Sequence, residues 1–321
     1  MKIHLPNSAF LGNIDPLLRS FDASNPDILE ITANKKWISL HPIVLAMVAA
    51  LGLTVKPENI HFEELEAKSK HYLERIGLFK LLGLKSNINI IEHEPAGRFI
   101  PLSKIANSEE LSRFIVDIVP LLHLQPNQAE PIKYIISELV RNVLEHSCSN
   151  KGAIVCAQFY QKSNTIRIGI VDTGVGIKES INMSYRTTSD LEAIKLALTP
   201  GITGTTNKIG GTEFNAGAGL FFIKSIAKVS RDFFMIYSGN AMYKLLKSKA
   251  TSSRVNLNID PFKDSHSKNS DFPYWQGAAV GIDISLEQKQ TFLELLESLR
   301  KTYSKAISEQ KTKKYKRPKF I

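Results

Sequence analysis

The sequence predicts an α/β protein with two domains and a basic end. Its 321 residues leave room for two hydrophobic cores, and 43% of them are hydrophobic, as in globular proteins. Strand-like and helix-like segments alternate over residues 1–100, which is typical of an α/β unit with one sheet. Residues 105–286 form a second, larger α/β domain, and residues 287–321 add a terminal helix and a basic tail.

The first domain contains five predicted elements. They are strands at Ile28–Thr32, Lys36–Leu40 and Ile60–Phe62 and helices at Pro42–Leu51 and Lys68–Leu82. The first helix begins at a proline, whose missing N–H is not needed there, and the second ends at Gly83. Ser39 and His41 lie where a helix cap and a packed turn residue are expected. The segment Glu94–Lys104, which contains two prolines and a glycine, is predicted to link the domains.

Capping residues mark helices in the rest of the chain. Asn107 and Glu110 form a capping box that begins a helix reaching Leu122. The pattern Ser189-x-x-Glu192 predicts a helix over Asp190–Leu198. A final amphipathic helix is predicted from Glu287 to about Ser304.

The first motif with chemical content is the predicted helix IKYIISELVRNVLEH, residues 132–146. Its isoleucines, leucines and valines form one broad apolar arc. Glu138, Asn142 and His146 recur every four residues in a narrow stripe at the edge of that arc, whereas Arg141 falls on the predicted outer face. A carboxylate and an amide at the rim of a buried face indicate a cleft.

Two glycine-containing motifs follow. The predicted strand Thr165–Val171 runs into Asp172-Thr-Gly174-Val-Gly176-Ile177, a turn where backbone can approach a flat ligand closely. Gly210-Gly211 and Gly217-Ala-Gly219-Leu220 precede a predicted helix over Leu220–Val229. Glycines before a helix expose its first N–H groups, which together with the helix dipole bind phosphate.

In this order and spacing, the three motifs resemble the N, G1 and G2 boxes of the GHKL superfamily, the ATP-binding fold of gyrase, Hsp90, histidine kinases and MutL. The resemblance covers roughly residues 107–285, more than half of the chain. It implies a two-layer α/β sandwich, with a mixed sheet covered by helices on one face, that binds ATP and Mg²⁺. An ATP lid is expected between the second and third motifs, over Lys178–Ala216, with Gly201, Gly204, Gly210 and Gly211 as suitable hinges.

The resemblance also assigns roles to side chains. Asn142 would bind Mg²⁺ through its amide oxygen. Asp172 would accept a hydrogen bond from the adenine amino group. Glu138 would be the general base. His146 fills a position that often holds Lys or His near the phosphates, with a structural imidazole as the alternative.

Further roles fall on the backbone of the loops. Gly174, Gly176 and Ile177 would bring backbone close to the base, and Gly217, Gly219 and the N–H of Leu220 would hold the phosphates. The segment Trp275–Ile282 is similar to the family's last strand. There the usual Gly-Thr pair reads Gly277-Ala278, so one contact near adenine loses its hydroxyl.

The N-terminal domain resembles, more loosely, the STAS domain of anti-anti-sigma factors. The phrase Leu73-Glu-Arg-Ile-Gly-Leu78 is similar to the last helix of that family. The family's phosphorylatable Ser-Ser-Gly is replaced by Ser39-Leu-His-Pro42, a departure that removes the expected phosphate acceptor.

Several functions fit an ATP-binding domain of this kind. A histidine kinase requires a dimerisation helix pair, which we do not find, and ATP-driven clamps carry a large transducer domain, whereas about 36 residues follow the last strand here. The segment Glu138–Asn142 is similar to the N box of anti-sigma-factor serine/threonine kinases, which act on STAS partners. We therefore expect a kinase-like partner-switching regulator, with an ATP-hydrolysing switch or clamp and a non-catalytic ATP-dependent interaction module as alternatives.

Composition and charge suggest the partners and the cellular location of the protein. Of the net charge of +10, most lies between Arg300 and Ile321, where nine Lys or Arg residues accompany one acid. The tail over residues 311–321 can bind nucleic acid or an acidic partner, or be a solvated end. No apolar run is long enough to cross a membrane, the N-terminus lacks a signal peptide, and Cys148 and Cys156 are expected to be free thiols. We expect a cytoplasmic protein with a protein partner, and GHKL relatives often act as homodimers.

Overall fold

A computed structural model describes residues 1–35, 37–63, 65, 67–86, 99–118, 122–206, 217–248, 255–286 and 292–314. Its strands are β1 (Lys2–Leu5), β2 (Ser8–Ala9), β3 (Leu29–Ala33), β4 (Ser39–Leu40), β5 (Ile60–Phe62), β6 (Phe99–Ile105), β7 (Ala153–Tyr160), β8 (Thr165–Val171), β9 (Phe234–Gly239), β10 (Ala241–Leu245), β11 (His266–Asn269) and β12 (Trp275–Ser285). Its α-helices are α1 (Asp15–Ser20), α2 (Pro42–Gly52), α3 (Ala67–Arg75), α4 (Leu78–Leu81), α5 (Ser108–Arg113), α6 (Pro126–His146), α7 (Ile177–Asn182), α8 (Asp190–Ala197), α9 (Gly219–Val229) and α10 (Phe292–Lys314). The chain is thus a mixed α/β protein.

Seven strands form the main sheet, in the order β11-β10-β9-β12-β8-β7-β6. All six neighbouring pairs are antiparallel, so the expected mixed sheet is wrong for this chain. Tight turns account for two of these pairs, β7-β8 and β9-β10. Asn164, in a left-handed conformation with φ of 44°, lies between β7 and β8, and Gly239, with φ of 60°, ends β9 two residues before β10 begins.

One face of this sheet is covered by α6, α9 and α10. Alternate strand residues such as Val155, Ile168 and Ile282 point to this side and share one hydrophobic cluster with the buried arc of α6 and with α9. The helix α10 packs against both α6 and α9. The Tyr303 ring of α10 contacts Phe222 of α9 edge-on, with ring centroids 5.8 Å apart.

The opposite face is also covered, which corrects the expectation of helices on one face only. All eleven residues of α2 are buried, and the helix lies across β7, β8 and β12. Close approach is made possible by Gly169, because a Cβ there would lie 2.3 Å from Cα of Ile43. Cys156 and Val171, which alternate with the residues of the first face, join α2 in a second hydrophobic cluster.

Polar contacts fix the N-terminal segment to this second face. His41 is fully buried, and its Nε2 atom lies 2.9 Å from Oδ1 of Asp283 on β12. Its Nδ1 atom accepts a hydrogen bond from the N–H of Ile43, so His41, expected as a packed turn residue, is the helix cap, and Ser39, expected as the cap, lies in β4. Lys244 of β10 forms an ion pair with Asp15 of α1. Two contacts between side chains thus connect the N-terminal residues to one face of the main sheet.

The N-terminal segment contains two small parallel sheets, β1-β3-β5 and β2-β4, where one sheet was expected. The strand predicted over residues 36–40 is limited to Ser39–Leu40, and Lys36 lies outside the described residues. The predicted helix over residues 68–82 is divided into α3 and α4, because Gly77 between them adopts φ of +83°.

The predicted link over residues 94–104 is corrected as well. Its described part, from Phe99 onwards, belongs to β6, an edge strand paired with β7. Asn107 caps α5 as expected, its Oδ1 accepting from the N–H of Glu110 at 2.9 Å. The α-helical geometry ends at Arg113 and a π-helical stretch follows over Phe114–Ile118.

The terminal helix is longer than expected. Its described part runs from Phe292 to Lys314, so the first residues of the predicted basic tail are helical. Residues 315–321 lie outside the described residues, and nucleic-acid binding through 311–321 stays a prediction. No helix in the described ranges combines the length and the apolar character needed to cross a membrane.

Candidate functional site

A cavity of about 360 Å³ lies among α6, α7, the start of α9 and the face of the main sheet that α6, α9 and α10 cover. Nine of the predicted site residues line it: Glu138, Asn142, His146, Asp172, Gly176, Ile177, Gly217, Gly219 and Leu220. The three sequence motifs thus meet in space, although 25 residues separate His146 from Asp172 and 39 separate Ile177 from Gly217. That convergence was the main geometric expectation of the sequence.

The amide of Asn142 faces the start of α9. Its nitrogen is buried and has no hydrogen-bond partner in the part of the chain that the structure describes. A Cβ on Gly219 would lie 3.6 Å from this nitrogen and 2.9 Å from Oε2 of Glu138. The glycine therefore leaves space between the helix N-terminus and two polar side chains. A buried amide without a partner is costly unless a ligand satisfies it.

Glu138 lies one turn before Asn142, at the mouth of the cavity. Its side chain is 29% exposed, and its Oε1 atom is 4.0 Å from Nη1 of Arg141. Burial raises the pKa of Glu138, the guanidinium of Arg141 lowers it, and the nearby carboxylate of Glu145 raises it. A carboxylate with a raised pKa that is still reachable from solvent is suited to accept a proton.

His146, at the end of α6, also faces the cavity. Its Nε2 atom is 3.9 Å from Oε2 of Glu145. Burial lowers the pKa of the imidazole, and the carboxylate of Glu145 opposes this shift. A lowered pKa favours the neutral imidazole near pH 7, which cannot supply a positive charge to phosphates.

Asp172 lies at the deep end of the cavity, directly after β8. It is 4% exposed, and its Oδ1 atom accepts a hydrogen bond from the N–H of Gly174 at 2.8 Å. Burial raises the pKa of Asp172 to about 6, while hydrogen bonds from the backbone of Gly174 and Ala278 act in the opposite direction. The carboxylate is thus held as an acceptor in an otherwise apolar region.

Apolar side chains surround this deep end. They come from α6, α7 and the central strands, and the lining includes Leu139, Val143, Ile170, Ile177, Ile236 and Val280. A single acceptor within an apolar pocket favours a flat heterocycle that carries one donor at its edge.

Gly174 and Gly277 were expected at the base, but both lie outside the cavity lining. A Cβ on Gly174 would lie 2.0 Å from the carbonyl oxygen of Ser147, at the end of α6. A Cβ on Gly277, where φ is +91°, would lie 2.3 Å from the carbonyl oxygen of Asp172. Because Gly174 has no Cβ, the end of α6 packs directly against the turn that follows Asp172. In the same way, Gly277 of β12 packs directly against the backbone of Asp172.

A hydroxyl on β9 connects the aspartate turn to the last strand. Ser238 accepts a hydrogen bond from the N–H of Ile177 at 3.0 Å, and its own hydroxyl donates to the carbonyl of Gly277 at 2.6 Å. Sequence reasoning missed this serine, since a buried strand residue carries no motif. Ser238 thereby connects the start of α7 to β12.

The other end of the cavity is made of backbone. Gly217 has φ of +66°, and a Cβ there would lie 2.5 Å from the carbonyl oxygen of Ile202. The carbonyl of Gly217 accepts from the N–H of Gly201 at 3.0 Å. The expected lid segment is therefore attached to the start of α9 through these glycines. The suggested hinges Gly210 and Gly211 lie outside the described residues.

Further lining residues were not predicted as site residues. They include Tyr134, Arg141, Glu145, Ser147, Ser180 and Ala278. The helical pattern predicts Arg141 on the outer face, but a position three residues after Glu138 lies only about 60° from it around an α-helix, and Arg141 lines the cavity. The helical spacing therefore indicates that Arg141 lies near Glu138, but it does not indicate how wide the cavity mouth is.

Within the described residues, no group of three or more His, Cys, Asp or Glu side chains is arranged to hold a metal ion. No protein-family model matches the chain, and no curated protein matches it either. The geometry of the cavity therefore carries the functional argument.

Proposed function

We propose that this protein binds ATP with Mg²⁺ and transfers the terminal phosphoryl group to a hydroxyl of a protein partner. The observation that carries the proposal is that Asn142, Asp172 and Gly219 line one cavity, with a buried amide nitrogen that has no partner among the described residues. An acceptor at one end and exposed helix N–H groups at the other match the two ends of a nucleotide.

The deep end suits adenine. The carboxylate of Asp172 accepts hydrogen bonds, and the exocyclic amino group of adenine donates them, whereas guanine presents a carbonyl at the same position. The surrounding isoleucine and valine side chains contact the faces of a flat ring. This combination favours ATP over GTP.

The shallow end suits phosphates and a hard cation. The helix α9 has eleven residues and begins at Gly219, so its first N–H groups and its dipole favour an anion. Asn142 would hold Mg²⁺ through its amide oxygen, because this cation commonly takes few protein ligands and keeps phosphate and water oxygens for the rest. When bound, the cation reduces the negative charge of the phosphates.

Glu138 is placed to accept the proton in the transfer. The acceptor hydroxyl loses its proton to this carboxylate as its oxygen attacks the terminal phosphorus, and the bond from that phosphorus to the bridging oxygen breaks to release ADP. Because the Glu138 side chain is 29% exposed, a hydroxyl from another protein can reach it. A STAS-like regulatory protein is the acceptor that we propose first.

The proposal is tested by incubating the protein with Mg²⁺ and γ-labelled ATP, alone and with candidate STAS-like partners. Label on a partner protein supports kinase activity, and release of free phosphate indicates hydrolysis. Loss of either product in Glu138→Gln, with ATP still bound, assigns the carboxylate as the base. Absence of nucleotide binding in the wild-type protein would refute the proposal.

The same measurement separates the non-catalytic function. If the wild-type protein and Glu138→Gln bind ATP but yield neither labelled partner nor free phosphate, while Asn142→Ala abolishes binding, ATP is a ligand that shifts a conformational equilibrium and is not consumed. Calorimetric titration with ATP provides the binding constant for each variant.

A further inference from the structure

The charged side chains of the cavity are mostly acidic. Glu138, Glu145 and Asp172 line it, and Arg141 is the one lysine or arginine among its described lining residues. His146 does not add a full charge near pH 7, because burial lowers the pKa of its imidazole. A polyphosphate entering this cavity therefore meets three carboxylates and one permanent cation.

Arg141 lies beside the phosphate end. Its Nη1 atom is 4.0 Å from Oε1 of Glu138, whose other oxygen, Oε2, faces Gly219 at the start of α9. One carboxylate thus lies between the guanidinium and the proposed phosphate cradle. A terminal phosphate held by the first N–H groups of α9 comes within reach of an arginine side chain extending from Arg141.

The contact with Glu138 does not hold the guanidinium in place. The Arg141 side chain is 61% exposed, and a distance of 4.0 Å is the upper limit for an ion pair. Exposed pairs of this kind contribute little to stability, so exchange of the carboxylate for a phosphate is inexpensive. The planar guanidinium also matches two phosphate oxygens at once, which an ammonium cannot do.

We propose that Arg141 binds the terminal phosphate of the nucleotide and is a catalytic residue supplied by the same helix as Glu138 and Asn142. This inference rests on the proposed ATP binding. Arg141 leaves Glu138 when the nucleotide enters, and its charge then stabilises the phosphoryl oxygens in the transfer. Glu138 is released from its cation at the same time and becomes a stronger base.

The test compares nucleotides that differ in their terminal phosphate. Binding of a non-hydrolysable ATP analogue and of ADP, each with Mg²⁺, is measured by calorimetry for the wild-type protein, Arg141→Gln and Arg141→Lys. The control is Lys133→Ala, because Lys133 lies on the same helix in a similar pair with Glu130, also at 4.0 Å, and outside the cavity lining. Thermal melting of every variant verifies the fold.

We expect Arg141→Gln to weaken binding of the ATP analogue by about 10- to 100-fold, the range of a lost charge-assisted contact, and to change ADP binding by less than about threefold. The affinity of Arg141→Lys for the analogue should lie between those of the wild type and Arg141→Gln. The affinity of Lys133→Ala should match that of the wild type. An unchanged affinity for the analogue in Arg141→Gln, or an equal loss for analogue and ADP, would overturn the assignment. If the wild-type protein binds neither nucleotide, the proposed function itself fails.

Discussion

The two faces of the main sheet differ in how completely they are filled. On one face, α2 is buried along its whole length and no polar side chain of the helix interrupts the contact. On the other face, α6 and α9 leave a cavity that contains ionisable groups. The same strands supply both faces through alternate residues, so the difference arises from the helices and not from the sheet.

The polar groups of the two faces differ in the same way. On the α2 side, both ring nitrogens of His41 have partners, Asp283 and the N–H of Ile43. On the cavity side, burial raises the pKa of Asp172 and of Glu138, and the amide nitrogen of Asn142 has no partner in the described residues. The cavity face thus keeps an amide without a partner beside open space, where a ligand can satisfy it.

The largest expected effect is a loss of stability on the filled face. Gly169→Ala should lower the free energy of unfolding by about 3 kcal/mol, because its Cβ meets the backbone of α2. Gly281 is the strand neighbour of Gly169 and also faces α2, but a Cβ there meets only side-chain atoms at 2.9 Å and beyond. Gly281→Ala should therefore lose clearly less in urea denaturation. Equal losses would mean that α2 can move away from the sheet.

On the cavity face, Glu138→Gln should reduce phosphoryl transfer by about 100-fold or more, since the proton acceptor is removed. Affinity for ATP should stay within a few-fold. Glu145→Gln is the matched control, because Glu145 is a more exposed carboxylate on the same rim. Single-turnover measurement with γ-labelled ATP distinguishes the two variants, and a similar rate loss in both would assign the effect to charge alone.

Asp172→Asn should weaken ATP binding by about tenfold and raise the free energy of unfolding at pH 7. The asparagine oxygen can still accept from the N–H of Gly174, but its NH₂ group opposes the amino group of adenine. Inosine triphosphate, which has a carbonyl at that position, should gain affinity relative to ATP. Unchanged preference between the two nucleotides in competition binding would exclude Asp172 from base recognition.

The smallest effect is a dependence on pH. Affinity for ATP should fall as the pH is lowered through about 6, because Asp172 becomes protonated and loses its acceptor. The same protonation favours the folded state without ligand. Because the pKa of Asp172 in the folded state is above its ordinary value of 3.8, the penalty of ionisation that is present above pH 6 is relieved as the pH falls from about 6 to 3.8. Asp172→Asn should lack both the pH dependence of ATP affinity and that of the free energy of unfolding. If this variant shows the same pH dependence as the wild type, other groups are responsible.

The local elements of the site were largely predictable. The helix of Glu138 and Asn142, the strand before Asp172 and the helix after Gly219 have hydrophobic periods and glycines that act over a few residues. The expectation that they meet around one cavity came from the family resemblance, because no local property of these segments specifies contacts between distant parts of the chain.

The arrangement of the N-terminal segment was not predictable in the same way. An apolar run such as Pro42–Gly52 indicates a buried helix, but its composition does not say which surface buries it. The corresponding signal is the pair Gly169 and Gly281 in adjacent strands, which becomes visible only when the register of β8 with β12 is known. The supporting roles of Gly174 and Gly277 were missed for the same reason, because their contacts are with distant backbone.

The central position of the sheet has a consequence for intramolecular signalling. The segment around Ser39 is held on the α2 side, where the Tyr160 hydroxyl donates to the carbonyl of Leu40 at 3.2 Å, whereas Glu138 opens on the other side. An acceptor hydroxyl in the docked N-terminal segment would have to pass through the β-strands to reach the nucleotide. Under the proposed activity, the main sheet therefore separates a hydroxyl in the segment around Ser39 from the nucleotide bound to its own molecule, and phosphorylation there would require a second copy of the chain.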